Sequence, residues 1–268
     1  MKTRNRKIVF LLSSISILPF ACIGVVRFLS VTQVDIPEYE EIVLEKEVSE
    51  DTNIVVFSDT HLTCKYDEKK DQYLKDIIEP ADLVVINGDF WDYYWCDFDY
   101  FIEGEYQELF SMLKEREVIY IYGNHDLSMF SDERVSEFSE NVGYKLELTV
   151  GDSKYYFEHG NKITPSLEEK YPIIRNKTIL QIGGTFESIE AKVLGEKDFV
   201  AMYGFQKEGH KEEATKTMGQ NEMLITGHIH SGFVDTDSRV ANSGLIRHGF
   251  ASYLEIYGGE VNLVKGRY

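Results

Sequence analysis

The sequence has 268 residues, of which 43% are hydrophobic and 28% are charged, so a wholly disordered chain is excluded and a substantial core is expected. The formal charge is −18 at pH 7, and the first 30 residues contribute five basic residues and no acid, which leaves −23 on the remainder. A surface this acidic repels nucleic acid, so no nucleic-acid partner is expected, whereas cations are attracted.

The N-terminal part of the sequence is apolar. Residues 8–26 carry no charge and follow a basic start, and 19 helical residues match a hydrocarbon core of about 30 Å. We therefore predict that residues 1–30 are a membrane anchor with a single transmembrane helix. The excess of basic residues before the run places the rest of the chain outside the cytoplasm. A cleaved signal peptide fits the same pattern and is the alternative.

The three cysteines are too few for a disulfide framework, and no Cys-x-x-Cys pair indicates a zinc knuckle. Cys22 lies in the apolar N-terminal run. At most one disulfide is therefore expected, between Cys64 and Cys96.

Short runs of β-branched and other apolar residues predict buried strands. These runs lie at residues 54–57, 83–86, 118–121 and 223–226. Turns that contain glycine separate two further pairs of predicted strands, at residues 144–150 and 154–157 and at residues 253–257 and 261–264.

Helices are predicted between the strands at residues 67–79 and 103–116, and a third is expected to begin at Ser131 or Asp132 and run to about residue 141. Strand–helix–strand units that lead into strand-rich sequence indicate an α/β fold with two sheets flanked by helices. We divide the remaining chain into a linker with an edge strand, residues 31–52, and one domain, residues 53–268.

Five short polar motifs each come directly after an apolar strand, where open α/β sheets place their ligand sites. The motifs are Ser58-Asp59-Thr60-His61, Asn87-Gly88-Asp89, Gly123-Asn124-His125-Asp126, Glu158-His159-Gly160 and Gly227-His228-Ile229-His230. Each motif alone is weak evidence of a ligand site, because an Asp-x-His pair commonly lies exposed on a protein surface and Gly-Asp commonly forms a turn. Five of them in this arrangement are not expected by chance.

The residue types in these motifs suit divalent metals. Residues i and i+2 of an extended segment face the same side, so Asp59 and His61 can face one ion together, as can His228 and His230. Carboxylate oxygens and neutral imidazoles bind Mn, Fe, Zn or Co. A single aspartate can bridge two ions through its two oxygens.

The motif order D-x-H, G-D, G-N-H-D, H-G, G-H-x-H resembles that of the calcineurin-like metallophosphoesterases, over residues 53–264. The resemblance implies a four-layer α-β-β-α sandwich and a phosphoester hydrolase with two divalent metal ions, for which we expect Mn, with Fe, Zn or Co as alternatives. It also implies that His125 contacts the phosphoryl group or protonates the leaving oxygen and that Asp126 orients His125. The implied ligands are Asp59, His61, Asp89 and His230 for one metal, and Asp89 (bridging), Asn124, His159 and His228 for the other.

Residues 162–220 separate the last two motifs and resemble the cap-like insertion of the UDP-2,3-diacylglucosamine pyrophosphate hydrolases. That resemblance implies a phosphodiester or pyrophosphate substrate that is attached to a lipid. Two features depart from it: those hydrolases commonly have Arg where this chain has His125, and they act at the cytoplasmic face. The alternatives are a non-catalytic metal- or phosphate-binding membrane protein with the same fold, a phosphomonoesterase, a protein phosphatase or a nuclease.

Overall fold

The computed structural model describes residues 34–268. The transmembrane helix predicted within residues 1–30 lies outside the described residues. From residue 34 onward, no helix is long and apolar enough to cross a membrane.

The described chain contains thirteen strands. In chain order they are β1 (Val43–Val48), β2 (Ile54–Phe57), β3 (Leu83–Asn87), β4 (Glu117–Ile121), β5 (Asn141–Gly143), β6 (Lys145–Val150), β7 (Ser153–Glu158), β8 (Glu222–Thr226), β9 (Phe233–Asp235), β10 (Val240–Asn242), β11 (Ile246–Arg247), β12 (Phe250–Tyr257) and β13 (Glu260–Arg267). They form two sheets. One sheet has the order β1-β6-β7-β8-β10-β9, and the other has the order β11-β12-β2-β3-β4-β5 with β13 paired to β12.

Strands β2, β3 and β4 are parallel neighbours, so their carboxyl ends lie at one edge of the second sheet. Strands β7 and β8 are parallel neighbours in the first sheet. Strand β1 lies within residues 31–52 and is an edge strand of the first sheet.

Side chains that alternate along each strand build two different apolar layers. In β2, Ile54 and Val56 face residues of the first sheet such as Leu146, whereas Val55 and Phe57 face helices. Because successive side chains of a strand point to opposite faces, an unbroken apolar run such as this one is buried on both sides.

Six α-helices lie in the described chain. They are α1 (Glu68–Ile78), α2 (Phe98–Ile102), α3 (Gln107–Glu115), α4 (Leu167–Lys170), α5 (Lys177–Tyr203) and α6 (Lys207–Thr217). The first three pack on the outer face of the second sheet, and α6 packs through Ala214 on Leu224 and Val240 of the first sheet. The order of layers is therefore helix, sheet, sheet, helix, in agreement with the α/β sandwich that was predicted.

Two predicted helices differ from the observed structure. The helix expected at residues 103–116 is α3, which begins only at Gln107, and a separate short helix that was not predicted, α2, ends before Gly104, a residue that is unfavourable in a helix interior. The helix expected from residue 131 or 132 to about 141 is instead a short 3₁₀ turn, Glu133–Glu137, with β5 after it. That segment buries Val135 and Phe138 but lacks the longer apolar period of an α-helix.

Candidate metal centre

The five motifs meet at one place because each lies at the carboxyl end of a strand. Strands β2, β3 and β4 of the second sheet lead into the first three motifs, and β7 and β8 of the first sheet lead into the other two. The two sheets face each other, so their ends bring both sets of motifs together. The cluster contains all seven residues predicted as metal ligands: Asp59, His61, Asp89, Asn124, His159, His228 and His230.

The backbone at this cluster is strained. Seven non-glycine residues have a positive φ in the described chain, and five of them are predicted metal ligands: Asp59, His61, Asp89, His228 and His230. A positive φ is unfavourable for residues that carry a Cβ, and such strain concentrates at functional sites. Gly88 is also required here, because a Cβ at its φ of 88° would overlap the His159 imidazole.

Two buried aspartates lie at the centre of the cluster, and imidazoles surround them. Asp89 Oδ2 lies 3.2 Å from His159 Nε2 and 3.6 Å from His61 Nε2. Asp59 Oδ1 lies 3.3 Å from His230 Nε2. Donor atoms of Asp59, His61 and His230 lie within 4.8 Å of one another, and the same holds for Asp89, His159 and His228. These two groups correspond to the two predicted metal sites, with Asp89 beside both.

Hydrogen bonds on the far side of three rings decide which nitrogen faces the aspartates. His159 Nδ1–H donates to the Asn87 carbonyl at 2.9 Å, and His61 Nδ1 lies 3.1 Å from Asp92 Oδ2. His228 Nε2–H donates to the Thr164 carbonyl at 2.9 Å. Because a carbonyl only accepts, it fixes a proton on the near nitrogen, so in the neutral His159 and His228 rings the opposite nitrogen carries the lone pair that a metal ligand requires.

The donor set fits divalent cations. Four buried ligand atoms have no hydrogen-bond partner among residues 34–268, namely Asp59 Oδ1, His61 Nε2, His159 Nε2 and Asn124 Oδ1. Unpaired buried polar atoms are costly, and a cation would satisfy all four. Imidazole nitrogen, carboxylate and amide oxygen, without thiolate, are ligands that suit Mn, Fe, Zn or Co.

The charges of the cluster shift its pKa values strongly. Burial alone would lower the pKa of His159, but the charge of Asp89 outweighs burial and raises that pKa to about 10. Asp59 and Glu187 in the same way raise the pKa of His230 to about 9. Burial and the charge of Arg247 instead lower the pKa of His61 to about 4. The negative charge of the two aspartates therefore favours positive charge on the groups beside them.

The predicted catalytic histidine lies on the open side of the cluster. The His125 side chain is 19% exposed, whereas that of His61 is 1% exposed. His125 Nδ1 lies 3.2 Å from Asp92 Oδ1, and the backbone N–H of His125 donates to Asp89 Oδ1 at 2.8 Å. The loop is therefore tied to the central aspartate while the ring stays accessible.

The hydrogen bonds of Asp126 lie away from the His125 ring, and its predicted role in orienting that ring stays a prediction. Its Oδ1 accepts hydrogen bonds from the N–H groups of Gly123 and Asp89, and its Oδ2 accepts from the Phe90 N–H and the Tyr120 hydroxyl. Its four partners thus lie in the loops after β3 and β4 and in β4, not at the His125 ring. The carboxylate that faces His125 is that of Asp92, which is also the partner of His61 and which the motifs did not single out.

The insertion brings two further acids to the cluster. Glu168 of α4 accepts a hydrogen bond from Asn124 Nδ2 at 3.3 Å and lies 3.8 Å from His125 Nε2. Glu187 of α5 lies 3.3 Å from His230 Nδ1. No short motif marks either residue, because only the folding of the insertion over the strand ends brings them to the site.

A family of known proteins matches more than half of this chain. The family model described as calcineurin-like phosphoesterase matches residues 52–232. The fold is similar to that of Vacuolar Protein Sorting 29 from Cryptosporidium parvum, at 12% identity over 81% of this chain and 97% of that chain, with a TM-score of 0.39. It is also similar to Yfce, a phosphoesterase from E. coli, at 13% identity over 79% of this chain and 98% of that chain, with a TM-score of 0.41. A search among curated proteins found no match.

Proposed function

The chain belongs to the calcineurin-like phosphoesterase family and is a hydrolase that acts on phosphate esters, and from this premise we propose that it cleaves a phosphodiester or pyrophosphate with two divalent cations. The observation that carries the proposal is the set of four unpaired ligand atoms buried around Asp59 and Asp89. We propose Mn²⁺ as the working ion, with Fe, Zn or Co as the alternatives that the same donors suit.

Asp89 is the residue we assign to both cations. Asp59, His61 and His230 would complete one site, and Asn124, His159 and His228 the other. Cations bound there supply a water of lowered pKa as the nucleophile and neutralise charge on the phosphoryl oxygens. The partners on the far side of the rings, such as Asn87 and Asp92, hold the ligand nitrogens in place.

We assign His125 to the substrate. Its ring is more exposed than the buried ligands, so Nε2 can contact a phosphoryl oxygen or donate a proton to the leaving oxygen. Asp92 Oδ1 lies 3.2 Å from the opposite nitrogen, Nδ1, and its negative charge favours the protonated ring that such a donation needs. Glu168 lies 3.8 Å from the same Nε2, and its carboxylate would have to give way to a phosphoryl group of like charge.

We further propose that the substrate has an apolar part and is linked to a lipid, as in the UDP-diacylglucosamine hydrolases that the insertion resembles. Large apolar side chains on the insertion support this proposal, because Leu167, Tyr171 and Ile173 are exposed close to Glu168. Soluble monomeric proteins seldom expose contiguous apolar side chains unless a partner covers them.

Residues 1–30 are proposed as a single-pass anchor, with the catalytic domain outside the cytoplasm. The disulfide between Cys64 and Cys96, whose Cα atoms are 5.4 Å apart, supports the second part. Disulfides persist in oxidising compartments and are rare in the cytosol.

Hydrolysis assays on the purified full chain test the reaction. The Mn²⁺-loaded protein is given a nitrophenyl monoester, a nitrophenyl diester and a lipid-linked pyrophosphate. We expect cleavage of the diester or the pyrophosphate that is lost in Asp89→Ala and kept in Asp152→Ala, a control in an exposed turn. A folded protein that binds fewer than two ions and turns over none of the three substrates would contradict the proposal.

A further inference from the structure

Helix α5 has an inner face directed at the proposed metal centre and an outer face that is apolar. Its inner face reaches the proposed metal centre through Glu187 and packs through Ala191 against the cluster that contains Leu245 and Phe250. Its outer face carries Ile182, Phe186, Ile189 and Val193, which we call the outer ridge.

The outer ridge is one continuous stripe. Its members are spaced by four, three and four residues, so they lie on one side of a helix with 3.6 residues per turn. That side is opposite to Glu187 and Ala191. Each ridge side chain is between 51 and 77% exposed, so the residues of the described chain leave the stripe largely uncovered. Surface helices normally direct polar residues outward, and an outward apolar stripe marks an interaction surface.

The length of the chain limits how far the apolar N-terminal run can lie from the start of α5. The Val34 N–H donates to the Arg175 carbonyl at 2.7 Å, and Arg175 lies two residues before α5 begins. Only seven residues, 27–33, separate Val34 from the uncharged run of residues 8–26. A fully extended chain covers about 3.5 Å per residue, so the end of that run lies within roughly 30 Å of the start of α5.

We propose that the outer ridge of α5 rests in the surface of a lipid bilayer. The choice of a bilayer rests on the membrane anchor proposed above for residues 1–30. The contact between the ridge and the bilayer does not depend on the proposed hydrolysis reaction. The ridge faces away from the metal centre, so docking would leave the inner face of α5, with Glu187, directed at the site. The apolar part of a substrate held in the same bilayer would then lie close to the site.

Charge and size favour a bilayer over a second copy of the chain. The described residues carry −23, so two copies repel each other, and four side chains fall far short of the roughly 20–30 residues per partner in a stable interface. The same charge repels anionic lipid. We therefore expect an apolar contact that forms on zwitterionic phosphatidylcholine and gains nothing from phosphatidylglycerol.

A lipid-quenching experiment tests the proposal without measuring activity. In a Cys22→Ser background, a single cysteine is placed at Ile189 or, as a control, at Tyr257, an exposed residue at the opposite end of the sheet from the metal centre. Each full-length protein is labelled with an environment-sensitive fluorophore and reconstituted in phosphatidylcholine vesicles that contain doxyl-labelled lipid.

We expect a blue-shifted emission that doxyl lipid quenches at least several-fold more at position 189 than at position 257. The additional variant Phe186→Ser should reduce the difference in quenching between positions 189 and 257. Unchanged cleavage of a soluble nitrophenyl diester by this variant would show that its fold is intact. Equal quenching at both positions would overturn the proposal. So would rapid disulfide cross-linking between two Ile189→Cys chains without lipid quenching, because it would identify a second copy as the occupant.

Discussion

Glu187 Oε1 lies 3.3 Å from Nδ1 of His230, so a helix of the insertion contacts a proposed metal ligand on the side of its ring away from Asp59. The same carboxylate accepts a hydrogen bond from Arg247 Nη1 at 2.8 Å and lies 3.6 Å from His248 Nε2. Three groups that can carry positive charge thus surround one buried acid. Their charges hold the pKa of Glu187 well below its ordinary range, although burial alone would raise it.

We predict that Glu187→Gln weakens Mn²⁺ binding by roughly 10–100-fold, as is typical when the partner behind a metal ligand is removed. The negative charge of the carboxylate favours a proton on Nδ1 of His230, so in the neutral ring Nε2 carries the lone pair that faces Asp59. Isothermal titration calorimetry of the full chain measures the change. Glu190→Gln, an exposed change on the same helix, is the control. Equal affinities for the two variants would show that Glu187 does not position His230.

Asp92 is expected to be more important for turnover than the motifs indicate. Asp92→Asn should lower kcat by roughly 10–100-fold, because an amide cannot keep the Nδ1 protons of both His61 and His125 in place. Steady-state kinetics with the nitrophenyl diester measure the effect, and Asp152→Asn in an exposed turn provides the comparison. A variant with unchanged kcat would show that Asp92 has no part in positioning either ring.

Asp126, in contrast, is expected to stabilise the fold. Asp126→Asn should lower the free energy of unfolding by on the order of 3 kcal/mol, because two of its four donors would then face an amide nitrogen. Urea denaturation of the metal-free protein measures the loss. If stability is kept while kcat falls, Asp126 acts on His125 as the motif resemblance implies.

Divalent cations are expected to stabilise the protein as well as to activate it. Mn²⁺ at 100 times its Kd should raise the free energy of unfolding by about 2.7 kcal/mol per site. The cation satisfies ligand atoms that are otherwise unpaired in the folded protein, such as Asp59 Oδ1 and Asn124 Oδ1. Urea unfolding with Mn²⁺ and with a chelator measures the difference, which should shrink in Asp89→Asn. An equal gain in that variant would show that the cation binds elsewhere.

Much of this arrangement could be predicted from the sequence, for a physical reason. Apolar runs such as residues 54–57 and 83–86 are buried on both faces, and parallel strands bring the loops at their carboxyl ends to one edge of the sheet. The ligand motifs were therefore expected to meet, and the structure brings them together.

The features that the sequence could not predict depend on contacts between distant segments. Asp126 is the next residue after His125 and is predicted to orient it, but adjacent side chains in an irregular loop face different ways, and the carboxylate 3.2 Å from His125 Nδ1 is that of Asp92. Glu168 and Glu187 lie in helices whose direction depends on packing over the sheets. The short helix α2, which was not predicted, likewise packs through Phe101 in the same core as Phe110 of α3.

The number of cations bound by each chain tests the central claim most directly. The full-length protein is loaded with Mn²⁺, freed of excess ion, and measured by plasma mass spectrometry together with cleavage of the nitrophenyl diester. We predict two ions per chain in the wild type, one in His61→Ala, and at most one in Asp89→Asn, with activity lost in both variants. A wild-type chain that cleaves the diester with one ion or none would contradict the two-cation mechanism.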